Sequence, residues 1–333
     1  MSILITSVIL GLIGSAAGSP DPSKPAVGAG LPSAPAATPK DPFIHVPDEV
    51  FLSMLRNDPQ AVMGKIPQSV TYRYHETIAR LDQGFTLYGD TFYRERKPAK
   101  RRPALVFVHD AAGFRQPVSA GERQCAYLAL TENLFCVSLY YRQPTDAYFP
   151  AALQDLKCCL RWLRSIADDY AIAPDRLIAL GSSAGTQYTW LAAATNGSKE
   201  CEGSGGYDGY SSDLNLALLN AAMCDFVTDF GRQGFGSKIM GGTLEEMPER
   251  YREASPLHRL RAGMPPVLMI HGDQDTSCPL RSARAAYQRL QELKVPSELV
   301  VREGRGHGTG GFNTDLCENL DTMRRFIRRY FPE

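Results

Sequence analysis

Ser183 stands at the centre of the pentapeptide Gly181-Ser182-Ser183-Ala184-Gly185, whose residue types and spacing indicate nucleophilic chemistry. A short apolar run, residues 177–180, precedes it, and residues 186–194 contain no Pro or Gly and are typical of a helix. A strand, a G-x-S-x-G turn and a helix in this order form a nucleophile elbow, which lifts the serine hydroxyl clear of a sheet. The flanking glycines permit the reversal because a Cβ at either position would clash. We therefore predict that Ser183 is a nucleophile.

A serine hydroxyl is a weak nucleophile until a base takes its proton, and the base needs a carboxylate to orient it. After Ser183 the chain contains three histidines, His258, His271 and His307. His271 ends an apolar run, and His258 lies in a helical or turn stretch. His307 lies in a glycine-rich loop directly after the apolar run 299–301, as expected of a catalytic imidazole at the carboxyl edge of a sheet. We predict that His307 is the base.

The orienting carboxylate is expected on the loop one strand earlier. Asp273 and Asp275 both follow the apolar run 267–270, and the residue types alone leave both as candidates. An aspartate in a turn commonly bonds local backbone, which is the simpler interpretation of Asp273. Spacing gives a modest preference for Asp275, which lies further along the turn.

The remaining pattern predicts the elements that position these residues. Residues 70–74 and 85–93 alternate in polarity, as two antiparallel edge strands would. Continuous apolar runs indicate strands covered on both faces, and they fall at residues 104–108, 134–140, 177–180, 216–219, 267–270 and 299–301. Helical stretches lie between them, including apolar stripes over residues 153–166 and 316–330. Strands that alternate with helices predict an α/β fold, a mostly parallel central sheet with helices on both faces. We assign residues 69–333 to this one catalytic domain.

Composition excludes some partners. Lys plus Arg and Asp plus Glu both number 36, so we expect no nucleic acid or other polyanion as partner. No C-x-x-C pair or His-Cys cluster suggests a metal, and we expect neither metal nor cofactor. The eight cysteines leave disulfides open, including a bridge between Cys278 and Cys317.

The first 68 residues have three different compositions. Residues 1–18 contain a short apolar stretch that ends in small residues, which is typical of a signal peptide although Met1-Ser2 carries no basic residue. Residues 19–42 are rich in Pro and Ala and are expected to be a disordered spacer. Residues 43–68 are interpreted as a helical lead-in of unknown role. The mature protein is therefore expected to be secreted or periplasmic, with no stable membrane span.

Several motifs together resemble an α/β-hydrolase esterase of the bifunctional feruloyl and acetylxylan esterase type, within the hormone-sensitive-lipase-like group. The resemblance runs from about residue 103 to the C-terminus and includes the pentapeptide, Tyr141-Arg142, Pro174-Asp175-Arg176, His271 to Asp275 and Gly304 to Gly308. It implies the α/β-hydrolase fold and ester hydrolysis through an acyl-enzyme. In that family the last residue of His-Gly-x-x-Asp is the acid, which implies Asp275 here.

One departure concerns the oxyanion hole. Such esterases usually carry His-Gly-Gly-Gly or His-Gly-Gly-Ala after the third strand, whereas this chain has His109-Asp110-Ala111-Ala112. Alanine still offers a backbone N–H, so we predict a hole formed by Ala111, Ala112 and Ala184. We expect the Asp110 carboxylate to turn away into a local hydrogen bond, because it would oppose the developing negative charge.

Aromatic residues near the predicted site favour an acyl pocket, and we predict that Tyr141, Tyr148 and Phe149 contact the substrate. The expected substrates are short-chain acyl or feruloyl-type esters of a carbohydrate or small alcohol. Two alternatives remain. A peptidase of the prolyl-oligopeptidase kind shares this order of triad residues but usually has a large N-terminal β domain. A non-catalytic recognition protein on the same scaffold typically lacks a triad residue.

Overall fold

The computed structural model of this protein describes residues 43–81, 84–110, 121–230, 234–307 and 315–332. Its main feature is an eight-stranded sheet, with the order β10-β9-β8-β7-β5-β6-β4-β3. The strands are β3 (Thr71–Arg80), β4 (Thr86–Tyr93), β5 (Arg102–Val108), β6 (Phe135–Tyr140), β7 (Ile172–Ser182), β8 (Leu216–Asn220), β9 (Val267–Gly272) and β10 (Ser297–Arg302).

The sheet is mostly parallel, as the apolar runs predict. Strands β6, β5, β7, β8, β9 and β10 pair in parallel, whereas β3 pairs antiparallel with β4 and β4 antiparallel with β6. The predicted antiparallel edge is therefore confirmed. Because parallel strands share one carboxyl edge, the loops that follow β5, β7, β8, β9 and β10 all meet there.

Helices cover both faces of the sheet. The first face carries α3 (Ala151–Ser165), α4 (Ala184–Ala194) and α7 (Leu280–Glu292), which contribute to one apolar core. The second face carries α2 (Glu122–Glu132) and α8 (Leu316–Tyr330), which contribute to the other. Between β8 and β9 the chain forms α5 (Gly234–Met240), α6 (Pro248–Glu253) and a 3₁₀ turn at Pro256–Arg259. Two stacked cores around a parallel sheet are the α/β-hydrolase architecture expected from the sequence.

The lead-in segment packs onto the second face. It contains α1 (Asp48–Asn57) and a parallel pair of three-residue strands, β1 (Ile44–Val46) and β2 (Lys65–Pro67). Phe51 and Leu55 of α1 are fully buried in the same core as α2 and α8. The Arg123 side chain of α2 donates to the Pro59 carbonyl, 3.0 Å away. The helix matches the expectation, whereas strands of three residues are too short for their pattern to be read from the sequence.

None of the helices within the described residues is both long enough and apolar enough to cross a membrane.

Candidate active site

Ser183 lies in a strained turn between β7 and α4. Its backbone has φ 48° and ψ −117°, a combination that non-glycine residues rarely adopt. A Cβ on Gly185 would come within 2.0 Å of the Val108 carbonyl oxygen at the end of β5, and one on Gly181 within 2.6 Å of Thr186 Cα. Both glycines are therefore required sterically, because α4 starts tightly against the neighbouring strand. The G-x-S-x-G elbow forms as the sequence predicts.

Ser183, His307 and Asp275 form one continuous hydrogen-bonded chain. Ser183 Oγ lies 2.9 Å from His307 Nε2, and His307 Nδ1 lies 2.9 Å from Asp275 Oδ2. The three residues come from the loops after β7, β10 and β9, which meet at the carboxyl edge of the sheet. With the proton on Nδ1, Nε2 is free to accept the Ser183 proton. This geometry is that of an activated serine.

The Asp275 carboxylate is held by backbone as well as by His307. Its Oδ1 accepts hydrogen bonds from the N–H groups of Ser277 (2.9 Å) and Cys278 (2.8 Å). Burial of the fully enclosed side chain would raise the pKa of Asp275. The hydrogen bonds from His307 and from the Cys278 N–H outweigh that effect and hold the pKa below its ordinary value. Asp275 is therefore an ionised carboxylate at neutral pH.

Asp273, the other candidate acid, has a different task. Its Oδ1 accepts the Gly304 N–H at 2.8 Å, and its own N–H donates to the Arg302 carbonyl at 3.1 Å. These bonds tie the loop after β9 to the loop after β10. Gly272 permits the approach, because a Cβ there would come within 2.2 Å of the Arg305 carbonyl oxygen. The geometry thus pairs Asp275 with His307 and gives Asp273 backbone partners.

The predicted oxyanion hole is only partly described. Ala184 is the first residue of α4, where a backbone N–H has no carbonyl partner within the helix. Ala111 and Ala112 lie outside the described residues, so their role stays a prediction. The same holds for the local hydrogen bond expected of Asp110, since the ten residues after it are not described.

The three predicted substrate contacts occupy different environments. Tyr141 is buried, and its hydroxyl donates to the His109 carbonyl at 2.6 Å while its ring stacks on the His109 ring. Phe149 is buried against the first core, and its N–H donates to the Ile239 carbonyl. Both rings pack against protein groups, and their contact with the substrate stays a prediction. Tyr148 is 53% exposed and lines an open cavity of about 610 Å³ with Lys238 and Glu246.

Two polar residues at the site were not predicted. His271 is fully buried beneath the Asp275 loop, and Thr186 is fully buried in the first turn of α4. A histidine that ends a wholly apolar strand was a visible signal, because a buried imidazole needs partners for both ring nitrogens. Thr186 carried no comparable signal, because the sequence does not show which groups its hydroxyl bonds.

Cys278 and Cys317 are both free thiols, so the bridge left open by the sequence does not form. Within the described residues, Asp275, Cys278 and His307 offer three potential metal-ligand atoms within 4.8 Å of one another. Two of these residues already bond each other, and burial raises the pKa of the Cys278 thiol well above its ordinary value. A protonated thiol is a poor metal ligand. The arrangement of Asp275 and His307 therefore fits the hydrogen-bond chain to Ser183 better than it fits a metal site.

A comparison with models of protein families identifies the family of this chain. The BD-FAE family model matches residues 91–290, which span β7, Ser183, α4, β9 and the Asp275 loop. The chain belongs to the BD-FAE family. This confirms the resemblance drawn from the motifs.

Named esterases are among the relatives of this BD-FAE chain. Esterase LipC of Mycobacterium tuberculosis is 27% identical over 239 residues, which cover 66% of this chain and 56% of LipC. The probable isoprenylcysteine alpha-carbonyl methylesterase ICMEL1 of Arabidopsis thaliana is 26% identical over 272 residues, covering 74% of this chain and 54% of that protein. This chain thus spans about half the length of the relatives it matches.

Solved structures share the fold. A thermophilic esterase from Thermogutta terrifontis, Est2 with bound propionate, superposes with a TM-score of 0.67 at 24% identity, covering 78% of this chain and 94% of that one. A truncated carbohydrate esterase from gut microbiota superposes with a TM-score of 0.68 at 21% identity, covering 78% and 96%. The α/β-hydrolase fold of this BD-FAE member is therefore established.

Proposed function

We propose that this protein is a serine carboxylesterase that acts through an acyl-enzyme. The observation that carries the proposal is the unbroken Ser183–His307–Asp275 hydrogen-bond chain on a strained nucleophile elbow. Membership of the BD-FAE family and the esterase names of its relatives support the reaction class.

The proposed reaction has two halves. His307 Nε2 takes the Ser183 proton as Oγ attacks the ester carbonyl, and Asp275 stabilises the imidazolium that forms. The Ala184 N–H donates to the oxyanion, and the departing alkoxide takes the proton from His307 as the alcohol leaves. Water then attacks the acyl-enzyme with His307 again as base, which releases the carboxylic acid and restores Ser183.

We further propose short acyl or feruloyl-type esters of a carbohydrate or small alcohol as substrates. Tyr148 supports this choice, because an exposed tyrosine ring beside an open cavity can stack on a sugar or a phenolic ring. His307 is 31% exposed at its side chain, so the site is reachable by a bulky alcohol group.

Replacement of the nucleophile tests the reaction class. Ser183→Ala is expected to lower kcat on p-nitrophenyl acetate by about 10⁶-fold, because the attacking oxygen is lost. Ser182→Ala is the matched control, since it removes the neighbouring hydroxyl of the same turn, and it should keep kcat within a few-fold. Equal activity of Ser183→Ala and wild type would refute the proposal.

The substrate class is tested by kcat/KM across p-nitrophenyl esters from acetate to palmitate, with methyl ferulate, acetylated xylan and a proline-containing peptide alongside. We expect a maximum between acetate and butyrate or on the ferulate. A maximum at palmitate, or faster peptide than ester cleavage, would contradict the assignment.

We also propose export, on the apolar stretch and the spacer of the first 42 residues. N-terminal sequencing of the natural product should return a start near Gly18 or Ser19. A start at Met1 or Ser2 would overturn this proposal.

A further inference from the structure

A ring of hydrogen bonds and short covalent backbone links begins and ends at Ser183. One half is the chain from Ser183 through His307 to Asp275. The other half returns from Asp275 to Ser183 through the buried residues His271 and Thr186, with the backbone of Cys278 and of Ala222-Met223 completing the links.

The Thr186 hydroxyl joins the nucleophile turn to the loop after β8. It donates to the Ser183 carbonyl oxygen and accepts the Met223 N–H at 2.9 Å. The Ser183 N–H donates to the Asn220 carbonyl at 2.9 Å, which fixes the same turn to the end of β8. The loop after β8 is thereby held rigidly relative to Ser183.

His271 joins that loop to the loop that carries Asp275. Its Nδ1 accepts the Ala222 N–H at 3.3 Å, and its Nε2 donates to the Cys278 carbonyl at 2.8 Å. The Cys278 N–H in turn donates to Asp275 Oδ1. A backbone N–H can only donate and a carbonyl can only accept, so these partners permit one neutral tautomer, with the proton on Nε2.

A charged His271 would break this arrangement. Protonated Nδ1 would point a second donor at the Ala222 N–H, and the cation would attract the Asp275 carboxylate, whose Oδ2 lies 3.6 Å from His271 Nε2. The titratable groups that act on His271 are Asp275 from its own loop and His307 from the loop after β10, and Cys278 contributes its backbone carbonyl. Burial, the largest influence, keeps the pKa of His271 below its ordinary value.

We propose that His271 is a positioning residue, which as a neutral imidazole holds the Asp275 loop in register with Ser183 so that the carboxylate meets His307. The proposal rests on the proposed esterase function of the same site. Its physical basis is that a displacement of a catalytic group by about 1 Å can cost about 10²-fold in rate.

The test compares two replacements of His271. Leucine fills the space but neither donates nor accepts, whereas the amide of glutamine offers an acceptor oxygen and a donor NH₂ group on the same carbon. We expect His271→Leu to lower kcat on p-nitrophenyl acetate by about 10²-fold with KM within about threefold, and His271→Gln to recover at least about tenfold of the loss. His258→Leu is the matched control, because His258 is 40% exposed at its side chain and lies outside the ring.

Two results would overturn the proposal. One is a folded His271→Leu variant with kcat within about threefold of wild type, and the other is a His271→Gln variant as impaired as His271→Leu. Should His271→Leu fail to fold, Thr186→Val and Thr186→Ser test the link that the Thr186 hydroxyl makes between Ser183 and the loop after β8. Thr186→Ser should keep the activity that Thr186→Val loses, and equal activity of the two would refute the positioning role.

A spectroscopic measurement separates this proposal from the esterase assignment. ¹⁵N NMR of histidine-labelled wild-type protein should show His271 neutral at pH 7, with a proton on Nε2 and none on Nδ1. A protonated Nδ1 at neutral pH would overturn the proposal whether or not the protein hydrolyses esters. A protein with the expected tautomer but without esterase activity would refute the proposed function alone.

Discussion

Asp275 and Asp90 are both buried and both accept hydrogen bonds from three residues, but their pKa values shift in opposite directions. Asp275 is bonded by His307 and by two backbone N–H groups. Asp90, in β4 at the antiparallel edge, is bonded by the His75 N–H (2.8 Å) and by the hydroxyls of Tyr72 and Tyr140.

The two carboxylates have the same number of hydrogen-bonding residues but differ in the chemical type of those residues. Burial raises the pKa of Asp90, and its phenol and amide partners offset only part of that effect. At Asp275 an imidazole that can become cationic reverses the balance and lowers the pKa. At the triad the hydrogen bonds from His307 and the Cys278 N–H thus outweigh burial, whereas at Asp90 burial outweighs the hydrogen bonds.

Replacement of each aspartate should give the largest contrast. Asp275→Asn is expected to lower kcat by about 10⁴-fold while the fold survives, because an amide at this position would hold His307 in the wrong tautomer. Asp90→Asn should change stability and leave kcat within about tenfold, since Asp90 bonds no triad residue. Steady-state kinetics on p-nitrophenyl acetate measures both.

Asp273→Asn is the control for the assignment of the acid. Asp273 lies on the same loop but bonds the Gly304 N–H, so its loss should be far milder than that of Asp275. A larger loss of kcat in Asp273→Asn than in Asp275→Asn would show that the acid is misassigned.

Glu122 should give a smaller effect on stability with a distinctive pH dependence. Burial and then the nearby Asp90 charge raise the pKa of Glu122 to about 7, from an ordinary value of 4.5. The folded protein therefore binds this proton more tightly than the unfolded chain, and stability falls as pH rises through that interval. Glu122→Gln should be more stable than wild type by up to about 3 kcal/mol at pH 8 and equal to it near pH 4.

Urea unfolding across that pH range measures the effect. Glu49→Gln, which alters an exposed glutamate in the first turn of α1, serves as the matched control for the removal of one carboxylate. A Glu122→Gln variant that is no more stable than wild type at pH 8 would contradict the raised pKa of Glu122.

Acid unfolding tests the lowered pKa of Asp275. The pKa of Asp275 is lower in the folded protein than its ordinary value of 3.8, so its contribution to stability is present above that value and is lost as pH falls through the folded-state pKa. Wild type should therefore lose more thermal stability than Asp275→Asn between about pH 5 and pH 3. Parallel thermal unfolding of the two proteins checks this, and identical losses would contradict the lowered pKa.

The parts of the site that the sequence predicted depend on local constraints. Gly181, Ser183 and Gly185 are fixed by the sterics of one turn, and the predicted elbow forms. The strands follow their apolar runs because a parallel strand is buried on both faces. His307 and Asp275 follow consecutive strands, so their meeting at one edge was implied by the topology.

The parts that the sequence did not predict depend on contacts between distant segments. The ring through Thr186 and His271 needs the loops after β7, β8 and β9 at fixed distances, and no local pattern specifies those distances. The substrate contacts predicted for Tyr141 and Phe149 stay predictions for a similar reason. An aromatic residue near a site has the same local pattern whether its ring faces the substrate or packs inward, and here both rings pack inward.

The docking of the lead-in segment sets a limit for protein engineering. Phe51, Leu55 and Ile66 are fully buried, and burial of each side chain contributes about 1.5–3 kcal/mol of hydrophobic stabilisation. A fragment without the segment would lack these contributions. The total approaches the entire net stability of an ordinary domain, about 5–15 kcal/mol. An expression fragment that starts at residue 69 would therefore be prone to aggregate. Residues 43–68 should therefore be kept in any expressed form of the catalytic domain.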